Sequence, residues 1–489
     1  MKRVVLTMLL VMLVWSAESQ PALMKGQESK RLSSEELLAA RYIGEQNRLD
    51  AWIMEGRRHV KQVVLTDANL EPVSVSPIEG SGKWEVLSAT PTAYRTGVLL
   101  AERGTKRTVV LRCEVDADSR AVVERPDTVA VFDYGRKDEC LVWGATSPSG
   151  RYSALVVVVR MAQDQRYTTY TALFDSRMQR VWEREYGLGS LHEVVVTDDG
   201  RVVTLGVESG ERRVESGEEE VHFIYNVLDS VHATTYDAVV KCAPVGEMHL
   251  VNVVGPYAVA AGTYRPTTGR NAGELTAGVL TLTFRLDAGE LTGITMRPLQ
   301  NEDVNVLLNE KTKKLQKQQT LDHVATVGSV ATGYGAVLAL SREVEVERTS
   351  DGGAAVREGY GTGLSLVAVD TTGRVRWVRN VRRNDVRRDG GLPTLGLAAG
   401  GERVCVVKSE HGKTPAIYDI SAEARELKEG EKGQVVLYAV SAEGEVEKLV
   451  LEAKSKLTVL RAVTRKDGTL VYVGEQGKRT RLASLSFNF

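Results

Sequence analysis

The chain has 489 residues, of which 43% are hydrophobic and 26% are charged. This is the composition of a globular protein with an ample core, and it excludes disordered chains, collagen and multi-span membrane proteins. The 63 basic residues are balanced by 64 acidic ones, which argues against nucleic acid or an anionic membrane surface as a partner, because both require a basic excess. The 45 glycines and 12 prolines favour β-hairpins, which need turn glycines and tolerate little proline.

Residues 1–19 have the pattern of a secretory signal peptide. A short basic start precedes an apolar run over residues 4–15, and small residues at positions 17 and 19 fit a cleavage site. The run is shorter than the about 20 apolar residues of a spanning helix, and no other segment is long enough. The sequence therefore predicts export to the periplasm, the cell surface or the medium, with no transmembrane span in the mature chain.

Four cysteines, Cys113, Cys140, Cys242 and Cys405, follow the predicted cleavage site, each in or beside a strand-like apolar run. An unpaired cysteine in such a run behaves as a small buried hydrophobic residue. In an oxidising compartment the four could also pair, and Cys113 with Cys140 is then the favoured disulfide. The wide spacing, with no Cys-x-x-Cys motif, argues against a zinc site.

Residues 20–57 are predicted to be an N-terminal segment with a helix over residues 33–56. The prediction rests on a capping-box spacing, an apolar stripe at helical spacing and a terminal glycine. The residues concerned are Ser33, Glu36, Leu38, Tyr42, Leu49, Trp52 and Gly56. Such a helix would cover an edge of the main domain.

From residue 58 to residue 489 the apolar residues alternate with a period of two, which predicts strands almost throughout. A partly helical insertion is expected near residues 300–320. Three segments, 169–182, 364–377 and 435–448, share one pattern, in which an apolar strand leads to a polar turn and a second strand.

The turns of these repeats set the period. Asp175 and Asp370 are 195 residues apart, which is three steps of about 65, and weaker copies lie near Asp229 and Asp287. A second family of glycine-containing turns interleaves with the first, for example at Ser147–Gly150. Two hairpins per period make four strands, and four antiparallel strands make one blade of a β-propeller.

The count of repeats favours a single propeller of seven blades, with six or eight left open because insertions blur the boundaries. Residues 84–133 would form a first complete blade. The final segment 458–489 holds only three strands, and a strand over residues 61–66 is expected to complete it and close the ring. Two stacked β-sandwich domains are a less favoured alternative, because they would not repeat with two hairpins per unit.

The stretch 366–377 (LVAVDTTGRVRW) resembles the repeat of quinoprotein-type, pyrroloquinoline-quinone-like β-propellers, which carry an Ala-x-Asp…Gly…Trp signature. The resemblance implies propeller architecture. Enzymes of that family often place two adjacent cysteines against their quinone, and no two cysteines are adjacent here, so we expect no cofactor. The whole chain is also similar to secreted propeller-like proteins of Gram-negative envelopes, a resemblance that implies export and no particular activity.

Motifs with a defined catalytic mechanism are absent from the sequence: there is no His-Glu-x-x-His, no Gly-x-Ser-x-Gly and no P-loop. The seven histidines are scattered singly. His222 and His232 flank one predicted hairpin and could face each other. Glu193 follows His192 directly, and the two would point to opposite faces of a strand. Asp116 begins a sequence like a calcium loop that lacks the later ligands.

Residues 374–388 contain seven arginines and one tryptophan. Arg379, Arg382 and Arg383 are the candidate binding residues, because guanidinium groups bind carboxylate, sulfate or phosphate bidentately. The alternative interpretation is a solvent-facing strand whose arginines pair with acids of neighbouring blades.

The sequence thus predicts an exported propeller that acts as a binding or scaffolding module for a protein or glycan of the cell envelope, at one end of the ring. The alternative is an enzyme, carbohydrate-active or quinoprotein-like, with carboxylates at the channel mouth. Two or more carboxyl groups of raised pKa in one deep pocket would favour the enzyme. The oligomeric state is left open.

Overall fold

The computed structural model describes residues 23–28, 39–55, 59–116, 121–122, 126–162, 167–186, 193–212, 218–268, 272–308, 320–349, 355–387, 394–400, 402–410, 433–465, 468–476 and 479–487. These residues form eight four-stranded antiparallel sheets, which follow one another around a ring as the blades of a β-propeller. Within each blade the strands are ordered from the central channel outwards, and the first strands of consecutive blades are neighbours from blade 1 to blade 8. The predicted all-β propeller with four strands per blade is confirmed.

The strand bounds of the first four blades are as follows. Blade 1 contains β2 (Ala39–Gln46), β3 (Leu49–Glu55), β4 (Lys61–Thr66) and β5 (Pro72–Pro77). Blade 2 contains β6 (Trp84–Pro91), β7 (Arg95–Arg103), β8 (Arg107–Asp116) and β10 (Asp127–Asp133), with the short β9 (Ala121–Val122) paired to β8. Blade 3 contains β11 (Glu139–Thr146), β12 (Tyr152–Arg160), β13 (Tyr167–Asp175) and β14 (Arg180–Tyr186). Blade 4 contains β15 (Glu193–Val196), β16 (Val202–Arg212), β17 (Glu219–Leu228) and β18 (Ala233–Cys242).

The last four blades carry larger insertions. Blade 5 contains β19 (Val245–Val254), β20 (Tyr257–Tyr264), β22 (Gly278–Arg285) and β23 (Glu290–Pro298). Blade 6 contains β25 (Val324–Thr332), β26 (Gly335–Thr349), β27 (Ala355–Asp370) and β28 (Val375–Arg387). Blade 7 contains β29 (Gly396–Gly400), β30 (Arg403–Glu410), β31 (Gly433–Val440) and β32 (Val446–Ser455). Blade 8 contains β33 (Thr458–Thr464), β34 (Leu470–Gln476), β35 (Arg479–Phe487) and β1 (Leu23–Glu28).

Helical structure is sparse in the described residues. One α-helix, α1 (Asn301–Leu307), lies between blades 5 and 6, and the two 3₁₀ turns are Ser81–Lys83 and Ala272–Glu274. The helix falls within the insertion predicted near residues 300–320, of which residues 309–319 lie outside the described part of the chain. A two-stranded ribbon of β21 (Leu275–Thr276) and β24 (Leu321–Asp322) flanks it.

The second strand of a blade, and in most blades the third, is buried on both faces, because each blade is packed between two others. In β12, for example, residues 153–158 (SALVVV) are all buried. Outer strands alternate instead between exposed and less exposed residues, as β18 and β23 do. A continuous apolar run therefore marks the middle of a blade, and alternation marks its rim.

Eight hydrophobic clusters hold the ring together, one between each pair of consecutive blades. The cluster that closes the ring joins Trp52 and Met54 of blade 1 to Val471 and Val473 of blade 8. A fully buried side chain of this size contributes about 1.5–3 kcal/mol. The ring is thus closed by the same kind of contact that joins every other pair of blades.

The prediction of seven blades is wrong: the described residues form eight. The additional blade comes from the segment assigned to the helix over residues 33–56. Residues 39–55 form the hairpin β2–β3, in which Tyr42 pairs with Trp52 and their rings lie 5.1 Å apart. The two aromatic residues share a face because a tight turn at Asn47 and Arg48, both with positive φ, brings them opposite each other. Ser33 and Glu36 lie outside the described residues.

The predicted closing strand is also wrong in position. Residues 61–66 form the third strand of blade 1, and the fourth strand of blade 8 is β1, which pairs antiparallel with β35 in the register Leu23 with Phe487. The N- and C-terminal strands therefore close the last blade together. A buried ion pair between Asp50 and Arg465 joins blades 1 and 8 at the same seam. Residues 84–133 do form one blade, the second of the ring.

The antiparallel order gives the ring two unlike ends. The turns between strands 1 and 2 and between strands 3 and 4 lie at one end, which we call the turn face. Both predicted turn families lie there: Asp175, Asp229, Asp287, Asp370 and Ser441 belong to the turns between strands 3 and 4. The other end, the connector face, carries the connections between blades, including α1, and the hairpins between strands 2 and 3.

The Asp…Gly…Trp signature of residues 370–377 has a structural role. Asp370 Oδ1 accepts hydrogen bonds from the backbone N–H groups of Thr372 and Arg374, and Gly373 adopts the φ of +80° that the turn requires. Trp377 is buried, and its Nε1 donates a 2.9 Å hydrogen bond to the carbonyl oxygen of Ala442, in the turn of the next blade. The signature thus fixes one blade to its neighbour.

The disulfide between Cys113 and Cys140 is not formed, and all four cysteines are free. Cys113 points into the cluster between blades 1 and 2, whereas Cys140 packs against the cluster between blades 2 and 3. Cys113 belongs to blade 2 and faces blade 1, whereas Cys140 belongs to blade 3 and faces blade 2. Blade 2 therefore lies between the two thiols. Burial raises the pKa of the Cys113 thiol to about 12.

Replacing Trp377 by Phe tests the contact between blades. We expect Trp377→Phe to lower the free energy of unfolding by about 1 kcal/mol more than Trp182→Phe, because it also leaves a buried carbonyl oxygen without its donor. Trp182 is a matched control, since it is similarly buried between blades 3 and 4 and makes no hydrogen bond with the described residues. Thermal unfolding followed by calorimetry measures both. Equal effects would show that the hydrogen bond adds nothing.

Removing β1 tests the closure of the ring. A chain that starts at residue 31 should unfold at a lower temperature than one that starts at residue 20, because β35 loses its outer partner. Adding a peptide of residues 20–30 should restore part of the loss, and a scrambled peptide should not. Equal melting temperatures for the two chains would contradict the closure by β1.

Candidate functional site

The first strands of the eight blades surround the central channel. In a ring of eight, blade 1 lies opposite blade 5, and blade 8 lies opposite blade 4. Two arginines lie on one of these sides, with Glu45 on the same strand as Arg41, and two glutamates lie on the other. Arg41 on β2 and Arg461 on β33 belong to blades 1 and 8, whereas Glu193 on β15 and Glu247 on β19 belong to blades 4 and 5.

The acidic side of the channel is organised around His249 on β19. Its Nδ1 lies 2.7 Å from Glu193 Oε1, and its Nε2 lies 4.0 Å from Glu247 Oε2. Glu247 Oε2 also accepts a 2.9 Å hydrogen bond from the backbone N–H of Thr326 on β25. The cluster therefore ties together the first strands of blades 4, 5 and 6.

The charges of this cluster reinforce one another. The hydrogen bond to Glu193 and the nearby carboxylate of Glu247 raise the pKa of His249 to about 9, against the opposing effect of burial. His249 in turn lowers the pKa of Glu247. At neutral pH the imidazole is thus protonated and the carboxyl group is ionised. Such fixed charges suit electrostatic recognition better than proton transfer, which needs a pKa near the working pH.

The basic side of the channel borders two cavities. One, of about 540 Å³, opens towards the connector face between blades 1 and 2 and is lined by Arg41, Arg461 and Trp84. The other, of about 310 Å³, lies towards the turn face and is lined by Arg41 and Glu45. Arg41 is solvent-accessible, yet protein surrounds it on most sides. It therefore lies in the channel wall between the two cavities.

Two further cavities open on the connector face. One of about 1010 Å³ lies between blades 4 and 5, where the last residues of β18 and β23 meet the start of α1. One of about 350 Å³ lies beside Glu247, between blades 5 and 6, and is also lined by Arg265, Asp322 and His323. Of these four cavities of the described residues, three open on the connector face.

The structure separates the three arginines that the sequence predicted as a binding group. The side chain of Arg383 is fully buried, and its guanidinium donates hydrogen bonds to Glu343 (3.0 Å), Asp385 (2.7 Å) and Ser341 (2.8 Å). Gly361 opposite leaves room for it, since a Cβ there would lie 2.7 Å from the guanidinium carbon. Its guanidinium is therefore engaged with protein groups.

Arg379 is half-buried and donates hydrogen bonds to the carbonyl oxygens of Gly444 and Val378, the former in blade 7. The side chain of Arg382 lies outside the described residues. The alternative interpretation was that the arginines of this strand pair with other groups of the protein. Arg379 and Arg383 agree with that part of it, because both bind protein groups. Anion binding by the three arginines stays a prediction.

A second buried charge cluster lies on blade 7. Lys408, only 2% exposed, lies 3.4 Å from Glu410 Oε1, and Lys448 lies 2.7 Å from Glu410 Oε2. Tyr438 also donates a hydrogen bond to Glu410. These partners hold the pKa of Glu410 at about 2 although burial opposes them. Because the carboxylate is saturated with donors inside one blade, we assign this cluster a structural role.

The remaining sequence candidates do not converge on one site. His222 pairs with Asp237 at 2.9 Å, and His232 lies 3.7 Å from Asp229, so each histidine has its own acid. Among the described carboxyl groups, Glu343 is the one whose pKa is raised, and its partner is the buried Arg383. No group of three potential metal ligands occurs in the described residues. The same part of the chain contains no helix long and apolar enough to span a membrane.

The channel residues Arg41, Arg461, Glu247 and His249 were missed by the sequence analysis. Glu193 was noticed, and its partner among the described residues is His249, 56 residues further on. His192 lies outside the described residues. These residues could have been distinguished from the many other charged ones only by knowing which strand of each blade is innermost.

The fold and the channel together define a closed eight-bladed β-propeller with a basic and an acidic channel wall. No protein-family model matches the chain, and no protein with a curated description matches it. Solved structures that resemble it include the WD40 domain of SCAP from fission yeast, with 8% identity and a TM-score of 0.37 over 96% of this chain and 98% of that one.

Two enzymes are similar in fold at the same distance. Prolyl oligopeptidase B from Galerina marginata has 9% identity and a TM-score of 0.42 over 91% of this chain and 56% of that one. The polysaccharide lyase Uly1 has 10% identity and a TM-score of 0.36 over 82% and 89%. Likeness at this level gives no ground for transferring a function, and the resemblance to quinoproteins is not confirmed beyond the propeller itself.

The pH dependence of stability tests the His249 cluster. Because the folded-state pKa of about 9 exceeds the ordinary value of 6.5, the cluster stabilises the fold fully below pH 6.5 and loses this contribution as the pH rises through 9. The variant His249→Gln should therefore melt lower than the unmodified protein at pH 6.5 and approach it at pH 9.5. His232→Gln, on an exposed hairpin, is the control and should lower the melting temperature less than His249→Gln at pH 6.5. A constant difference for His249→Gln would contradict the assignment.

Proposed function

We propose that this protein is an exported binding or scaffolding module of the bacterial cell envelope, which holds a protein or glycan partner on its connector face. The observation that carries the proposal is the difference between the two ends of the ring. The turn face is built from short turns that satisfy their own backbone, such as Asp370–Gly373 with Gly373 N–H bound to Asp370 O at 3.0 Å. The connector face bears the long connections and, in the described part of the chain, three cavities of about 350 to 1010 Å³.

Loops held by a rigid scaffold are where binding residues concentrate. The scaffold here is rigid because eight apolar interfaces fix the blades, while the connections on the connector face vary in length from blade to blade. The channel adds charged groups that stay ionised at neutral pH, Glu247 and His249 among them. Both features support recognition of a partner.

Export is part of the proposal. The predicted signal peptide, residues 1–19, lies outside the described residues, and β1 begins at Leu23. Cleavage after residue 19 would leave the closing strand of blade 8 intact. Removal of residues 1–19 is therefore compatible with the eight blades that the described residues form.

Site-specific photo-crosslinking in the exporting cell tests the proposed face. A photoreactive residue placed at Lys83 or Glu302, both exposed on the connector face, should crosslink to envelope components. The same residue placed at Arg177 or Glu445, exposed on the turn face, is the matched control and should not. Intact mass of the recovered protein shows whether residues 1–19 were removed.

Crosslinks from the turn face alone, or equally from both faces, would overturn the assignment of the binding face. Recovery of the protein from the cytoplasm, with residues 1–19 still attached, would overturn the proposal that it is exported.

A further inference from the structure

We propose that the channel wall formed by blades 8 and 1 binds an oxyanion, a carboxylate, sulfate or phosphate group of a ligand, between the guanidinium groups of Arg41 and Arg461. The proposal deepens the proposed function by giving the chemistry of the ligand, and it rests on that function in so far as the cavity opens on the connector face. Three observations support it: the placement of the two arginines, their lack of partners among the described residues and the chemistry of the cavity.

Ring closure brings the two arginines together. They lie on the first strands of blades 1 and 8. Arg41 and Arg461 are 420 residues apart in the chain, but the two blades are adjacent in the ring. Both line the same cavity of about 540 Å³. Burial lowers the pKa of Arg41, and the neighbouring charge of Arg461 lowers it further. The two like charges are therefore close enough to repel each other.

Neither guanidinium has a hydrogen-bond or ion-pair partner among the described residues. The acids that line the cavity are already engaged: Glu55 is bound by His59 and Lys61, at 2.5 and 3.0 Å, and Glu85 is bound by Arg103 at 2.8 Å. The cavity thus holds carboxylates, but each of them serves another cation. Among the described residues that line the cavity, Arg41 and Arg461 are two cations that no carboxylate compensates.

An anion between the two arginines would remove this repulsion. A guanidinium group offers several N–H donors in one plane and binds carboxylate, sulfate and phosphate bidentately. Inside the ring, where protein replaces much of the water, such a pair is stronger than on an open surface. The cavity volume falls in the range of about 300–1,000 Å³ that is usual for small-molecule sites.

The other residues of the cavity and the opposite wall of the channel restrict which ligands could bind between the two arginines. Trp84, Ile53 and Val86 line the same cavity and offer an apolar surface to the body of a ligand that carries the anionic group. The opposite wall of the channel holds the carboxylates Glu193 and Glu247, which repel anions. A small ligand would therefore be oriented with its negative end towards blades 8 and 1.

The binding test uses the chain of residues 20–489 and four probes, sodium sulfate, sodium phosphate, sodium glucuronate and glucose, with sodium chloride at matched ionic strength as the baseline. Calorimetric titration and thermal shift should show binding of at least one anionic probe and none of glucose. In the double variant Arg41→Gln, Arg461→Gln, the dissociation constant should rise at least tenfold. The matched control, Arg177→Gln on the turn face, should bind like the unmodified protein.

The outcomes separate the sources of the anionic group. Binding of glucuronate alone assigns a carboxylate carried by a sugar, whereas binding of sulfate and phosphate assigns an inorganic oxyanion or its esters. The melting temperature of the unliganded double variant shows whether it is folded, and we expect it to be equal or higher, because the repulsion is gone.

No response to any anion, an equal response to glucose, or unchanged affinity in a folded double variant would overturn the proposal. Crosslinks from the connector face without anion binding would overturn this inference and leave the proposed function standing. Anion binding without crosslinks from the connector face would support this inference and overturn the proposed partner-binding function.

Discussion

The whole structure depends on the burial of both faces of every blade. A sheet whose middle strands are apolar on both sides has no face to give to water, so each blade needs a neighbour on either side. A linear stack would leave two apolar faces exposed at its ends, and a ring leaves none. Every blade therefore has both faces covered only when the ring is closed. The contact that closes it packs Trp52 and Met54 of blade 1 against Val471 and Val473 of blade 8.

Ring closure also determines where the charges are. Along the chain, Arg41, Glu193, His249 and Arg461 have no evident relation, but each lies on a first strand. Closing the ring places the two arginines side by side and faces them with the acidic cluster of blades 4 and 5. A charged channel thus arises from residues that make no local pattern. It is the part of the molecule where charges can stay near solvent while apolar faces pack around them.

Charge density in the sequence is a poor guide to accessible charge in this fold. The arginine-rich strand β28 places Arg383 wholly inside the protein, where Glu343 and Asp385 compensate it. Arg379 binds the turn of the next blade, as the neighbouring Trp377 does. The strand that stands out in the sequence therefore serves largely to join blades 6 and 7. Arg41 and Arg461, which no local pattern marks, lie in the channel wall and have no ion-pair partner among the described residues.

Local sequence patterns were sufficient to predict the strand content, the four strands per blade and the turns between strands 3 and 4, because alternation and turn chemistry act over a few residues. Asp175 and Asp370 were correctly placed three blades apart. The number of blades, the closing strand and the charged residues of the channel depend instead on packing between distant parts of the chain. Tyr42 and Trp52 fit a helical face as well as a hairpin, and packing against blade 8 selects the hairpin. Partners such as Leu23 with Phe487 are decided by closure of the ring, which no local pattern records.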